Sequence, residues 1–268
     1  MTEIFACLVE KYGHRLNIET QTPVTSIVSD TTNPSHPYIL HTPRGTQRAT
    51  QIAHCTNGHA GHLLPGLRGP VYPFKGTMTV QDAGNIMINR GGDLSWGFHY
   101  PVIYDKESRR YAAGLYYLMQ NTKTGYFFFG GEDTRIDHCL SSDDSQVEEG
   151  SIRHLQEKLP HFLGYKGAEQ WRLAGGWSGI MGFSADGLPV VGRVETSMTG
   201  RQGEGEYVAA AFNGYGMANC LLAGEALAKI MMGKDTSACL PKAYGIHETR
   251  LKEPLTLDHA IESFELNA

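Results

Sequence analysis

Two glycine-rich segments in the last third of the 268-residue chain carry the residue types best suited to chemistry. The first runs Gly175-Gly176-Trp177-Ser178-Gly179-Ile180-Met181-Gly182-Phe183-Ser184-Ala185-Asp186-Gly187-Leu188-Pro189-Val190-Val191-Gly192. Its six glycines leave the main chain bare enough for a ligand to come close, and Asp-Gly before Pro-Val-Val-Gly marks a turn. The second reads as strand, glycine turn and helix: Glu206 to Phe212, then Asn213-Gly214-Tyr215-Gly216-Met217, then Ala218 to Met232 with Gly233 as the stop. A helix opened this way presents free amide groups, which favour an anion or a polarised carbonyl oxygen.

Several other chemistries are disfavoured by spacing. The glycine turn is no dinucleotide fingerprint, because Asn219 stands at the third glycine position and no later strand supplies an acid for a ribose hydroxyl. Ser178 and Ser184 fail the nucleophile-elbow pattern, since Ile180 and Asp186 stand where its last glycine belongs. There is no phosphate-binding loop ending in Gly-Lys-Ser/Thr. His54, His59 and His62 lie beside Cys55, but only His59 and His62 share a helical face and no carboxylate completes a set, so no metal is expected. Among the dense aromatics between 96 and 129, most read as sheet core. Tyr100, Tyr116 and Trp177, with His99, are the candidates for orienting a substrate.

These groups need elements to hold them. Ile4, Phe5, Leu8, Val9 and Tyr12 have helical spacing, with Gly13 as a stop. Leu16 to Val28 reads as extended, Tyr38 to His41 as the first arm of a hairpin turning at Pro43-Arg44-Gly45, and Ala49 to Cys55 as a strand. From Pro70 to Phe129 short β-prone runs alternate with turns, which predicts a twisted antiparallel sheet. A surface helix is predicted over 143–163, with Pro160 ending or kinking it, and the tail after Pro254 is expected to be loosely held.

Hydrophobic residues at 41% and charged residues at 19% fit a soluble globular protein with a reducing, cytoplasmic location as the default. A formal charge of −5 gives no reason to expect nucleic acid or an acidic membrane as partner, and no apolar run approaches the roughly 20 residues of a membrane helix. The start, Met1-Thr2-Glu3-Ile4-Phe5, lacks the marks of a signal peptide. The five cysteines are expected to be reduced and mostly packed.

Taken together, Trp177 to Pro189 and Ala211 to Met217 resemble the D-amino-acid-oxidase-like FAD oxidoreductases, especially the fungal-type members. That family typically carries a Trp-x-Gly-Ile-Met-Gly-Phe-x-x-Asp-Gly-Leu-Pro run and a closing Gly-Phe-x-Gly-His-Gly-Met motif. Gln21 to Ile27 resembles its adenine-side strand, and Ile52 to Leu64 its Ala-Thr-Asn-Gly segment before a Leu-Leu-Pro. The resemblance implies an α+β (mixed) fold: an antiparallel substrate-domain sheet over 71–174, and the remnant of a Rossmann-like FAD domain from 1–70 and 175–268. It implies FAD as cofactor, with Gly179, Ile180, Met181, Asn213, Gly214, Gly216 and Met217 facing the flavin. Val24 would lie near the adenine, and Asn57 and Gly58 near the cofactor's middle. A small-molecule amine or amino acid would sit over the ring, among Trp177, Tyr100, Tyr116, His99 and Tyr215.

Two departures bear on mechanism. No G-x-G-x-x-G opens a βαβ unit near the amino terminus, so the diphosphate lacks its helix-end amides and tight FAD binding by this chain alone is expected to be weakened. A truncated oxidoreductase, a cofactor-free enzyme using the vacated pocket and an inactive binding protein all remain open, although Met1 and the helix after it suit a natural short product. The face exposed by such a shortening is expected to be covered by rearrangement, a partner chain or a second copy. The other departure is Tyr215, where many relatives carry histidine; a phenol is neutral near pH 7.

Overall fold

In the computed structural model, described for residues 2–165, 171–246 and 250–251, the strands form three sheets and the helices pack around them. This is the mixed α+β architecture expected. The first sheet is a small arm of β1 (Ser26–Ser29), β2 (Tyr38–Thr42) and β3 (Gly45–Ala49) in antiparallel order. The extended run predicted from Leu16 shrinks to β1, because Gln21 takes a left-handed turn (φ 52°). The single strand predicted over 49–55 divides into β3 and β4 (Ile52–His54), which belong to different sheets.

The largest sheet has the order β10-β5-β9-β8-β6. Its members are β5 (Val71–Asp82), β6 (Ser95–His99), β8 (Arg110–Gln120), β9 (Phe127–Arg135) and β10 (Arg172–Ser184), with β7 (Ile103–Asp105) also pairing β8. Strand β10 pairs antiparallel with β5 along its whole length, so the domain boundary expected between 174 and 175 falls inside a strand. Residues two apart on a strand share a face. On β8, Tyr116 and Leu118 are buried while Leu115, Tyr117 and Met119 are exposed, the signature of a sheet covered on one side.

The cover is α4 (Glu149–Phe162), preceded by the single turns α2 (Ala60–Leu63) and α3 (Ile136–Cys139). Leu155 and Leu159 of α4 are fully buried against Phe127, Phe129 and Tyr116. The helix starts six residues later than 143, because Asp143 Oδ1 instead accepts bonds from Ser145 N–H (2.9 Å) and Ser145 Oγ (2.6 Å), a local turn that competes with helix. Pro160 sits in the last turn and the helix runs on to Phe162.

The third sheet, β11 (Val190–Arg193), β12 (Glu206–Ala210) and β4, joins β12 antiparallel to β11 and parallel to β4. A buried ion cluster ties the last pair: His54 Nε2 lies 2.8 Å from Glu206 Oε2, and Arg201 clamps both Glu206 oxygens (2.8 and 2.6 Å). Burial pushes the Glu206 carboxyl up, and the bonds from Arg201 and His54 outweigh it, leaving it below the usual range. After the turn α5 (Thr196–Thr199) and β12 comes α6 (Gly216–Met231), two residues longer at its start than predicted. It ends as expected, with Gly233 left-handed (φ 69°) and its N–H donating to Ile230 O (2.9 Å).

One flank of this layer is uncovered by the described residues. Strand β4 ends its sheet with one edge unpaired, and α6 buries Ala223, Ala226 and Leu227 while Met217, Leu221 and Leu222 stay exposed. Helix α1 (Thr2–Tyr12) buries none of its residues, Ile4 and Phe5 included. The cysteines correct an expectation: all five are free, but Cys7, Cys55 and Cys220 are exposed, and only Cys139 is fully packed. Cys7 lies on α1 and Cys220 on α6, whose outer faces have no cover among the described residues. Among the described residues no helix is long and apolar enough to cross a membrane. The tail after Pro254 lies outside the described residues.

Candidate functional site

The face of the large sheet turned away from α4 is where groups converge. Register places Trp177, Gly179 and Met181 of β10 beside Met78, Gly76 and Phe74 of β5, and Gly130 of β9 beside both Met78 and Tyr117. Phe128 stacks edge-on against Trp177 with centroids 6.1 Å apart. Two glycines let the large side chains settle. A Cβ at Gly130 would lie 2.5 Å from Tyr117 Cζ, so Tyr117 lies across bare backbone. A Cβ at Gly76 would lie 3.0 Å from Met181 Cε, 3.6 Å from Glu132 Oε1 and 3.8 Å from Tyr117 Oη, so a thioether, a carboxyl and a phenol meet at one point. Gly179, the register partner of Gly76, has open space where its Cβ would be.

Glu132 is the unusual member of this group. It is 4% exposed, and its carboxyl accepts a bond from the Thr77 N–H. Desolvation pushes it up to about 8, against the Thr77 amide and the Lys75 charge. Burial pushes Tyr117 up to about 12 and raises Tyr111 and Cys139 as well. Beyond Glu132 the face closes over Phe74, Tyr111, Ile136 and Cys139; on the other side Trp177, Tyr117 and Met119 are open.

A knot of turns joins this face to the third sheet. Asn57, Ala211 and Asn213 all have left-handed backbones (φ 46°, 58° and 51°), uncommon for residues with a side chain. Asn57 Oδ1 accepts from Phe212 N–H (3.3 Å), Asn213 N–H donates to Gly182 O (2.8 Å), and Asn213 Oδ1 accepts from Ser184 N–H (2.9 Å). A Cβ at Gly58 would be 2.6 Å from Met181 O, so the 57–58 turn presses directly on β10. From this knot α6 departs. Its N-terminal residue Tyr215 makes no side-chain cap, and Gly214 and Tyr215 are exposed.

Asn57, Gly58, Ile180, Met181 and Asn213 are thus brought together, with Gly214 and Tyr215 of the turn and Gly216 and Met217 of α6 leading away from them. Val24 and Gly58 line one cleft of about 940 Å³, walled also by Ile27, Leu40, Ile52 and Tyr72. Trp177 and Gly179 lie on the open face. His99 lies on it too, but four strands from Trp177, which is roughly 19 Å. Tyr100 and Tyr116 lie on the opposite, α4-covered face. They stack with centroids 5.0 Å apart, Tyr116 Oη lies 2.5 Å from His154 Nε2, and both pack in the core. Glu132, Tyr117, Gly76 and Gly182 did not stand out in the sequence. The available signal was an acid two residues beyond Gly130 in the run Phe127-Phe128-Phe129-Gly130-Gly131-Glu132, since a charge inside an aromatic strand is rarely free of purpose.

A family model described as FAD dependent oxidoreductase matches residues 8–230. No curated protein matches the chain. Among solved structures, L-proline dehydrogenase from P. horikoshii is similar with a TM-score of 0.62 and 20% identity, over 94% of this chain and 59% of that one. Glycine oxidase from Geobacillus kaustophilus is similar at 0.59 and 23%, over 84% and 52%. Iminodiacetate oxidase from Chelativorans sp. BNC1 is similar at 0.55 and 19%, over 82% and 52%. The chain therefore spans little more than half the length of these proteins. It belongs to the FAD-dependent oxidoreductase family.

Proposed function

We propose that this member of the FAD-dependent oxidoreductase family carries the ring-facing and substrate-facing half of a flavin site and serves the oxidation of a small amine at the carbon next to nitrogen. The observation that carries the reading is the bare backbone at Gly179, the register partner of Gly76, flanked by Trp177 and Met181 on the same strand. A flat ring fits there because no side chain stands over Gly179. The first-turn amides of α6, opened by Gly214, suit the ring's carbonyl edge. The diphosphate is another matter. Among the described residues the only strand–glycine turn–helix unit of this kind is β12–α6, and Asn219 interrupts its glycine pattern. FAD therefore fits by its ring and not by its diphosphate, which we assign to residues outside those described, on a complementary segment, a partner chain or a second copy.

When bound, the flavin would accept hydride from the carbon of the neutral amine, leaving an iminium ion that gives the imine on losing its N–H proton. The chain's own residues position and dry the site. Trp177, Phe128 and Met78 present an apolar wall, and Tyr117, a phenol that is neutral near pH 7, offers one hydrogen bond. The complementary unit would also cover the unpaired edge of β4 and the exposed Met217, Leu221 and Leu222 of α6.

Gly179→Val tests the ring site. Because the space above Gly179 is open, the variant should unfold within roughly 0.5 kcal/mol of the parent. Flavin binding, read by quenching of flavin fluorescence, should weaken at least about tenfold. Unchanged flavin binding would place the ring elsewhere. The reaction itself is tested by anaerobic addition of an amine to the flavin-loaded protein, which should bleach the visible flavin absorption; a spectrum that ignores every amine offered would count against the proposed chemistry.

A further inference from the structure

The open face recognises one kind of charge. Glu132 is an acid more than nine-tenths buried whose Oε1 accepts from the Thr77 N–H. That oxygen, Oε1, lies 3.6 Å from where a Cβ on Gly76 would stand, a point that Met181 Cε (3.0 Å) and Tyr117 Oη (3.8 Å) also approach. Around it Trp177, Met181, Met78, Phe128, Tyr117 and Met119 bring no arginine or lysine. Arg172, on the same strand as Trp177, lies at its far end and is ion-paired with Asp82 (2.9 Å). Lys75 donates instead to Gln146 O (3.2 Å), and its register position is on the other face. The face thus offers an anchor for a cation and a wall for an apolar group, with no arginine or lysine among these described residues to hold a carboxylate.

We infer that Glu132 anchors the substrate nitrogen and takes its proton, and that the substrate is an amine with an apolar or aromatic substituent and no carboxylate on the carbon next to nitrogen. This rests on the amine-oxidising reading above and narrows it. In the transfer an N–H bond of the ammonium breaks, an O–H bond forms on the Glu132 carboxyl, and the N–H electron pair remains on nitrogen as the lone pair. A neutral amine is the form able to give up hydride from the adjacent carbon.

With its carboxyl raised to about 8, free Glu132 is mostly protonated at pH 7, so it gives that proton to solvent before it takes the ammonium's, a net release of about one proton per amine. Calorimetric titration of the whole chain with N-methylbenzylamine at pH 7, in two buffers of different protonation heat, counts it. Release of about one proton per amine is expected. Glu132→Gln should bind roughly tenfold more weakly or worse and release none. N-methylphenylglycine, which adds a carboxylate next to nitrogen, should also bind at least about tenfold more weakly than the plain amine. Absence of amine binding, binding without proton release, or equal affinity for the carboxylated amine would each overturn the inference. Should the variant fail to fold, the proton count and the paired ligands on the unaltered chain decide. An amine that binds with proton release yet never bleaches a bound flavin would defeat the oxidation reading while leaving this one standing.

Discussion

Glu132→Gln is expected to flatten the dependence of stability on pH and to make the fold more stable in alkali than the parent. The sign follows from burial. Desolvation raises the Glu132 carboxyl from its ordinary 4.5 to about 8, more than the Thr77 amide and Lys75 lower it. For an acid raised in this way, the stability is fully present below the unfolded-state value and is lost as pH climbs through the folded-state value. The parent should therefore lose up to roughly 4 kcal/mol between about pH 5 and pH 8.5 from this group alone. Glutamine keeps an oxygen to accept the Thr77 N–H and has no proton to lose. Urea unfolding of both proteins at the two pH values makes the comparison. Curves that stay parallel would mean that Glu132 is solvated or paired in a way its surroundings do not indicate.

Gly182→Ala should be among the most damaging single methyl groups in the protein. Its Cβ would lie 2.5 Å from Gly58 N, and nearer still to Asn57 Oδ1. Neither can retreat. Asn57 already has a left-handed backbone, the 57–58 turn abuts β10, and Gly182 O is fixed by the Asn213 N–H. A cost of about 3 kcal/mol is expected, with a fall in Tm of about 10 °C. Gly179→Ala, three residues earlier on the same strand, meets open space and should cost no more than roughly 0.5 kcal/mol. Similar melting curves for the two variants would contradict the close packing of the two turns against β10. Since that knot also launches α6, the loss at Gly182 should extend to any ligand held between the helix and the open face.

The elements that announce themselves locally were legible in the sequence. The helix after Gly216, its glycine stop and the β-prone runs from Pro70 onward follow from composition and spacing, and they form much as expected. Boundaries moved where a side chain captured the backbone, as Asp143 does before α4, or where a chain changed sheets, as it does between Ala49 and Ile52. The glycine-rich motifs stood out as a candidate site because bare backbone is rare, and the resemblance pointed to a flavin. Which aromatics face the site was not legible. Tyr116 and Tyr117 are neighbours in sequence and opposite in the fold, and the choice depends on which side α4 covers, a tertiary fact. Glu132 escaped notice because its meaning comes from Gly76 and Tyr117 on other strands, brought near by register rather than by spacing along the chain.

The most direct measurement is a paired titration of the purified chain with riboflavin and with FAD, followed by flavin fluorescence. Because only the ring has a place among these residues, the two should bind within roughly tenfold of each other, and Gly179→Val should weaken both. FAD binding more than about a hundredfold tighter than riboflavin would contradict this division, since it requires a diphosphate site within the chain itself. Failure of either flavin to bind would remove the ring site.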